Sequence, residues 1–246
     1  METVYAFCRA VDDAVDQGGT TEVETHEELD RWRMELLAME RGSPSHPIAV
    51  ALATACREYQ IPRTYLEKLI AGVEMDLKPR RYRTFEELRV YCERVASVVG
   101  LISVRVFGCR HPAADRYATD LGIAFQLTNI LRDLRPDAEK GRIYVPLEDL
   151  ERFGVTEAQL LQAKSPEIFR ELMIFQCERA KKFFRCAEKA LAETGEAHRM
   201  LPARIMGAVY ARLLRRIEER HYDVFSQRIR IPPLEQVWAA VGCLMR

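Results

Sequence analysis

Residues 121–146 read LGIAFQLTNILRDLRPDAEKGRIYVP, and near the start residues 1–17 read METVYAFCRAVDDAVDQ. In the first stretch Gln126, Asn129, Asp133 and Asp137 recur every three or four residues. In the second, Tyr5, Arg9, Asp12 and Asp16 do the same. Residues three and four apart share one helix face, so each stretch carries a narrow column of carboxylate, amide, hydroxyl and guanidinium groups. The rest of each stretch is largely Val, Ala, Phe, Leu and Ile. A helix apolar nearly all round belongs in an interior. Charge is costly there unless it faces a metal ion, an anion or a wet cavity. The expectation is an all-α interior site that holds cations and, through them, a polyanion.

Outward from these columns the helical signals continue. The 3.6-residue periodicity predicts helices over roughly 2–17, 26–41, 46–59, 63–77, 85–108, 112–134, 166–193, 199–224 and 233–245. Capping boxes are expected at Thr25–Glu28, Thr84–Glu87 and Thr156–Gln159, and a start at Ser165 with Pro166 in the first helical position. Breakers fall between them: Gly18-Gly19, Gly42-Ser43-Pro44, Pro79, His111-Pro112, Pro136 and Pro232-Pro233. Alternating β-branched segments and internal repeats are lacking. At 246 residues the reading is one helical domain, 1–246, around a central space.

Composition excludes several classes. Thirty-seven basic residues balance 37 acidic ones, so no charge bias points to nucleic acid. The longest apolar run, around Val95–Phe107, is interrupted by Arg105 and too short to span a bilayer. The seven cysteines stand singly and read as reduced core thiols of a cytoplasmic protein. Scattered histidines argue against zinc. No GxGxxG, P-loop, GxSxG or Cys/His dyad is present, so a nicotinamide reductant such as NADPH is not expected.

Asp12 and Asp16 stand about 40° apart around a helix, so both can reach one hard cation. Oxygen-only donors suit Mg²⁺, which keeps waters and shares phosphate oxygens. Asn129, one turn before Asp133, can add an oxygen to a metal there, and Arg132 can hold phosphate by its fork. Pro136 disfavours helical geometry at Arg135, which places Asp137 near a helix end. Lys78-Pro79-Arg80-Arg81-Tyr82-Arg83 gathers four cations that suit either a diphosphate or a solvated helix junction. The small residues Ala96, Ser97 and Gly100 suit tight packing or a wall beside a hydrocarbon. Tyr144 and Tyr210 read by default as core aromatics, and Arg228 as an exposed cation within reach of an anion.

Taken together, YAFCRAVDDAVD, RYRTFEELRVYCERVASVVG and QLTNILRDLRPDAEKGRIYVPLEDL resemble the squalene/phytoene synthase family over almost the whole chain. The resemblance implies the isoprenoid synthase fold and Mg²⁺-assisted loss of diphosphate from allylic prenyl diphosphates, joined head to head. By position it implies metal ligation by Asp12, Asp16, Asn129, Asp133 and Asp137. It implies diphosphate contacts from Tyr5, Arg9, Gln126, Arg132 and Tyr210, and further active-site positions at Tyr82 and Tyr144. Two departures stand out: Pro136 occupies a position usually held by Glu, and the family's additional N-terminal helix would lie upstream of YAFCR. The expected substrate is farnesyl diphosphate with a squalene-type product; phytoene and dehydrosqualene synthesis are the alternatives. A class I terpene cyclase and a non-catalytic assembly factor are readings of other kinds. Greasy substrates imply transient contact with a membrane surface.

Overall fold

The computed structural model describes residues 2–16, 21–78, 80–162 and 169–244. Within them the secondary structure is helical: α1 Glu2–Asp16, α2 Glu22–Glu40, α3 Pro47–Tyr59, α4 Arg63–Glu74, α5 Phe85–Cys92, a π-helical turn Glu93–Ser97, α6 Val98–Val106 and α7 Pro112–Arg132. There follow α8 Leu134–Glu139, α9 Leu147–Arg152, α10 Glu157–Gln162, α11 Arg170–Thr194, α12 Leu201–Glu219 and α13 Pro233–Leu244. The Ser165–Pro166 start lies outside the described residues.

Helix α7 is the axis. The long helix α11 runs along it, and on another side lie the π turn and α6. Two glycines set that approach. A Cβ on Gly122 would sit 2.5 Å from the Ser97 Cα, and one on Gly72 of α4 would sit 2.8 Å from the Arg94 Cβ. The π turn is thus wedged between α4 and α7 at distances that only glycine permits. The expected helix over 85–108 is therefore three pieces, its extra residue per turn accommodated where the neighbours press closest. Helices α1 to α4 build a core around Phe7, Trp32, Leu66 and Ile70, to which α6 adds Val98 and Ile102.

The caps correct the sequence reading in two places. The box of α2 is Thr21–Glu24, reciprocal in both directions, while Thr25 is buried and donates its hydroxyl to the Thr21 carbonyl. Thr156–Gln159 forms as expected. Thr84 accepts from the Glu87 amide, but the Glu87 carboxylate accepts from the Arg83 amide, one residue early. The break expected at Pro136 comes three residues sooner, at Asp133 (φ −102°, ψ 17°). Pro136 then sits in the first turn of α8, where its missing N–H leaves nothing unpaired.

Candidate active site

The break at Asp133 organises the polar cluster. Its carboxylate accepts from Arg132 Nε at 3.0 Å and from Arg228 Nε at 3.0 Å and Nη2 at 3.3 Å. Arg228 comes from the segment between α12 and α13, so the pair ties two distant parts of the chain together. Partial burial works against ionisation of Asp133, but the two guanidiniums outweigh it and hold its carboxyl below the usual range. Arg132 is raised in turn, chiefly by the Asp133 bond and also by Tyr210. Asp137, one turn on, is pushed up to about 6, first by burial and then by the negative charges of Asp133 and Asp76; Arg142 and Lys140 oppose this.

Asp76, just beyond α4, joins this cluster unannounced by the sequence. Its carboxylate accepts from the Tyr91 hydroxyl at 2.7 Å and the Tyr144 hydroxyl at 2.8 Å. The rings of Tyr91 and Tyr144 stack with centroids 5.3 Å apart, and Tyr82 stands 5.7 Å from Tyr91. Burial first and Asp76 second raise all three phenols, so they are neutral donors at ordinary pH. Tyr82 is buried, and its hydroxyl has no partner among the described residues. Backbone bonds from Leu147 and Glu148 to the Tyr82 and Arg83 carbonyls pin this corner. Asp149, bonded to Gln176 and Arg179 of α11, anchors it from behind. Tyr91 lay inside a quoted motif without being singled out. Asp76, a lone acid with no periodic partner, offered no signal.

Asn129 is the most telling side chain. Its Oδ1 is buried without a hydrogen-bond partner among the described residues, whereas buried amides are normally satisfied. At 100° per residue, Ala118, Leu121, Phe125, Asn129, Arg132 and Asp133 share one face of α7. The first three line an apolar cavity of about 340 Å³. Its other walls are Ala96, Val99, Gly100 and Phe107 before, within and just after α6, and Met200, Ala203 and Met206 at the start of α12. The small residues Ala96, Ser97 and Gly100 thus serve both readings: Ser97 packs on Gly122 while Ala96 and Gly100 face the hollow. Phe125 packs on Tyr210 at 4.3 Å between ring centroids, which links the hollow to Arg132. Gln126 is half-buried beside this face.

Helix α1 departs from expectation. Val4, Phe7 and Val11 are buried against α2, α3 and α4, but Tyr5, Arg9 and Asp12 are exposed. The column faces water because the opposite stripe is the more apolar and takes the packing. Arg9 binds Asp13, with Nε 3.1 Å from Oδ2, rather than Asp12. The side chain of Asp16 lies outside the described residues. The basic segment is a helix junction: Lys78 binds Glu22 at 2.7 Å and Arg81 binds Glu157 at 2.6 Å.

Among the described residues no three His, Cys, Asp or Glu side chains form a ready metal cage. The donors do fit magnesium. They are carboxylates plus an unclaimed amide oxygen, and Mg²⁺ is ordinarily held by one or two carboxylates together with substrate phosphates.

A family model described as squalene/phytoene synthase matches residues 1–235. The chain is 41% identical over 254 aligned positions to the phytoene synthase of Arthrospira platensis, covering 98% of this chain and 80% of that protein. It is 39% identical to the 15-cis-phytoene synthase of Synechocystis sp., covering 93% and 71%. Among solved structures, squalene synthase HpnC from Alicyclobacillus acidocaldarius superposes with a TM-score of 0.80 at 28% identity, over 89% of this chain and 82% of that one. A dehydrosqualene synthase in complex with ligand gives 0.79 at 25%, over 99% and 84%.

Proposed function

The chain belongs to the squalene/phytoene synthase family, and from that premise we propose that it joins two prenyl diphosphates head to head to make a phytoene-type product. The carrying observation is the single face of α7 on which an apolar cavity gives way to Asn129, Arg132 and Asp133. A hydrocarbon tail and a diphosphate head need that order. The farnesyl-to-squalene reading of the sequence gives way to its alternative. Two relatives at 39–41% identity are phytoene synthases, while a squalene synthase and a dehydrosqualene synthase of known structure stand at 28% and 25%. Two C20 units are therefore the favoured substrates.

Asp12, Asp16, Asn129, Asp133 and Asp137 are the residues that would hold Mg²⁺; bound with diphosphate, the ions would neutralise charge as the allylic C–O bond breaks. Arg132 and Arg228, with Arg9 and Tyr5 on α1 and Gln126 and Tyr210 near α7, would bind phosphate oxygens. The diphosphate leaves with the electron pair of the C–O bond. The allylic cation is then attacked by the 2,3-double bond of the second substrate, and proton loss closes a cyclopropylcarbinyl diphosphate. Departure of the second diphosphate and rearrangement give a final cation. Loss of a further proton leaves the central double bond of phytoene, so no reductant enters the balance. The hydroxyls of Tyr82, Tyr91 and Tyr144 are held neutral, so none of them would trap a cation as a phenolate would. The apolar walls exclude water.

Among the described residues no helix is long and apolar enough to cross a membrane. Uptake and release of such apolar molecules would occur at a membrane surface. Incubation with C15 and C20 diphosphates and Mg²⁺, followed by lipid extraction, tests the proposal. A C40 hydrocarbon from the C20 substrate is expected; a cyclised monomeric terpene, or no consumption of either diphosphate, would refute it.

A further inference from the structure

Helix α13 is put together inside out. Leu234, Val237, Trp238, Val241 and Leu244 recur at helical spacing on one stripe, and all five are exposed, Trp238 at 66% and Leu234 at 76%. At 100° per residue the buried Ala239 lies roughly opposite that stripe. The helix therefore packs on α12 through a small side chain and turns its large ones away from the protein. Its attachment is polar at one end: Arg216 of α12 pairs with Glu235, and Arg212 donates to the Glu235 carbonyl at 2.7 Å. At the other end the Cys243 thiol lies 3.6 Å from the Arg204 carbonyl.

That second contact places the free end of the stripe beside the first turns of α12. The same turns carry Ala203 and Met206, which wall the apolar cavity, and Met206 is itself 47% exposed. The stripe and the mouth of the cavity are thus neighbours on one side of the molecule. The only acid on α13, Glu235, is neutralised by Arg216, while Arg230 just before the helix and Arg215 on α12 are exposed cations. An apolar stripe with Trp238 near its middle, an exposed arginine just before it and another on the neighbouring helix suit a helix that lies in a lipid headgroup layer.

We propose that α13 is an interfacial docking helix that seats the protein on an anionic phospholipid surface, with the cavity mouth toward the lipid. This rests on the reading of the cavity as a hydrocarbon site, since it supplies the route by which prenyl chains enter and the product leaves. A second copy of the chain on the same stripe is the competing occupant.

The two tryptophans make the test direct. Trp32 of α2 is 4% exposed and packs on Phe7 of α1, so a change in emission on lipid binding reports Trp238. The full chain is mixed with vesicles of phosphatidylcholine and phosphatidylglycerol containing brominated acyl chains. The expected result is a blue shift and quenching of Trp238, with co-sedimentation several-fold stronger than on pure phosphatidylcholine. The variant Val237→Ser/Val241→Ser keeps Trp238 as reporter and is expected to bind vesicles at least tenfold more weakly. Its consumption of detergent-dispersed substrate should be unchanged. Absence of quenching in the wild-type protein would overturn the proposal, whatever the variant does. So would a stable dimer in sedimentation that shields Trp238 from both bromolipid and iodide. Quenching without turnover of any prenyl diphosphate would uphold the docking surface and refute the proposed reaction, which keeps the two failures apart.

Discussion

Replacing Asp137 with Asn should stabilise the protein at neutral pH while impairing its chemistry. In the fold the Asp137 carboxyl is raised from 3.8 to about 6, by burial first and then by Asp133 and Asp76. A shift of about 2 units corresponds to about 3 kcal/mol at roughly 1.4 kcal/mol per unit. Asp137 is only half-buried, and solvent screening reduces this to about 1.5 kcal/mol. The sign follows from linkage. The raised group binds its proton more tightly folded than unfolded, so no penalty exists below about pH 4. The cost accumulates between pH 4 and 6 and is constant above. Asn carries no such charge, so Asp137→Asn should melt roughly 3–6 °C above wild type at pH 7.5. That difference should disappear at pH 4. Thermal melts across pH 4–8 measure it, and adding Mg²⁺ with inorganic diphosphate should raise the wild-type melting temperature more than the variant's. A variant no more stable than wild type at pH 7.5, or a difference that persists at pH 4, would refute the electrostatic account.

Gly122→Ala should destabilise by about 1–3 kcal/mol in urea unfolding, because its Cβ would meet Ser97 backbone at 2.5 Å and backbone cannot swing aside. Asn129→Ala should lower turnover of prenyl diphosphate by about 10²-fold or more with little change in melting temperature, on the scale of lost transition-state charge stabilisation. Asp133→Asn should lower turnover as much and also lower the melting temperature, since it leaves Arg132 and Arg228 without their carboxylate. Equal turnover at saturating Mg²⁺ would remove their proposed role. Tyr91→Phe removes a hydroxyl held 2.7 Å from Asp76 and should reduce kcat more than KM, measured by steady-state kinetics. Ala203→Phe, on the cavity wall, should shift use from C20 toward C15 diphosphate in a competition assay read by product mass.

The helical framework was legible because each apolar stripe and each breaker acts locally: His111-Pro112 opens α7 and Pro232-Pro233 opens α13 without help from the rest of the chain. Non-local pressure was not legible. The π turn at Glu93–Ser97 exists because Gly72 and Gly122, far apart in sequence, bring α4 and α7 onto it from two sides. The α7 column could be read from its spacing, and the Asn129 amide oxygen, expected from that spacing to reach a metal, has no hydrogen-bond partner among the described residues. The α1 column was misjudged as interior, since periodicity shows which residues share a face and not which face wins the packing. Asp76 was missed for the opposite reason: it belongs to no column, and its meaning comes only from two tyrosines 15 and 68 residues away.

The arrangement around Asp133 has a consequence for how such a site would work. A carboxylate between Arg132 and Arg228 leaves one positive charge in excess, which suits an anion, and each member matches one component of a magnesium diphosphate. On the proposed function, the carboxylate would turn to the cation and the guanidiniums to the phosphate oxygens. Attractive contacts would be exchanged rather than created, and the net charge brought into the half-buried site would stay small. The same exchange would relieve Asp137, whose proton is held by burial and by the negative charges of Asp133 and Asp76. Binding of Mg²⁺ with diphosphate should therefore release protons near pH 6. Calorimetry in buffers of differing ionisation enthalpy would detect this, and Asp137→Asn should reduce it. Unchanged proton release in that variant would mean that the carboxyl at 137 does not take part.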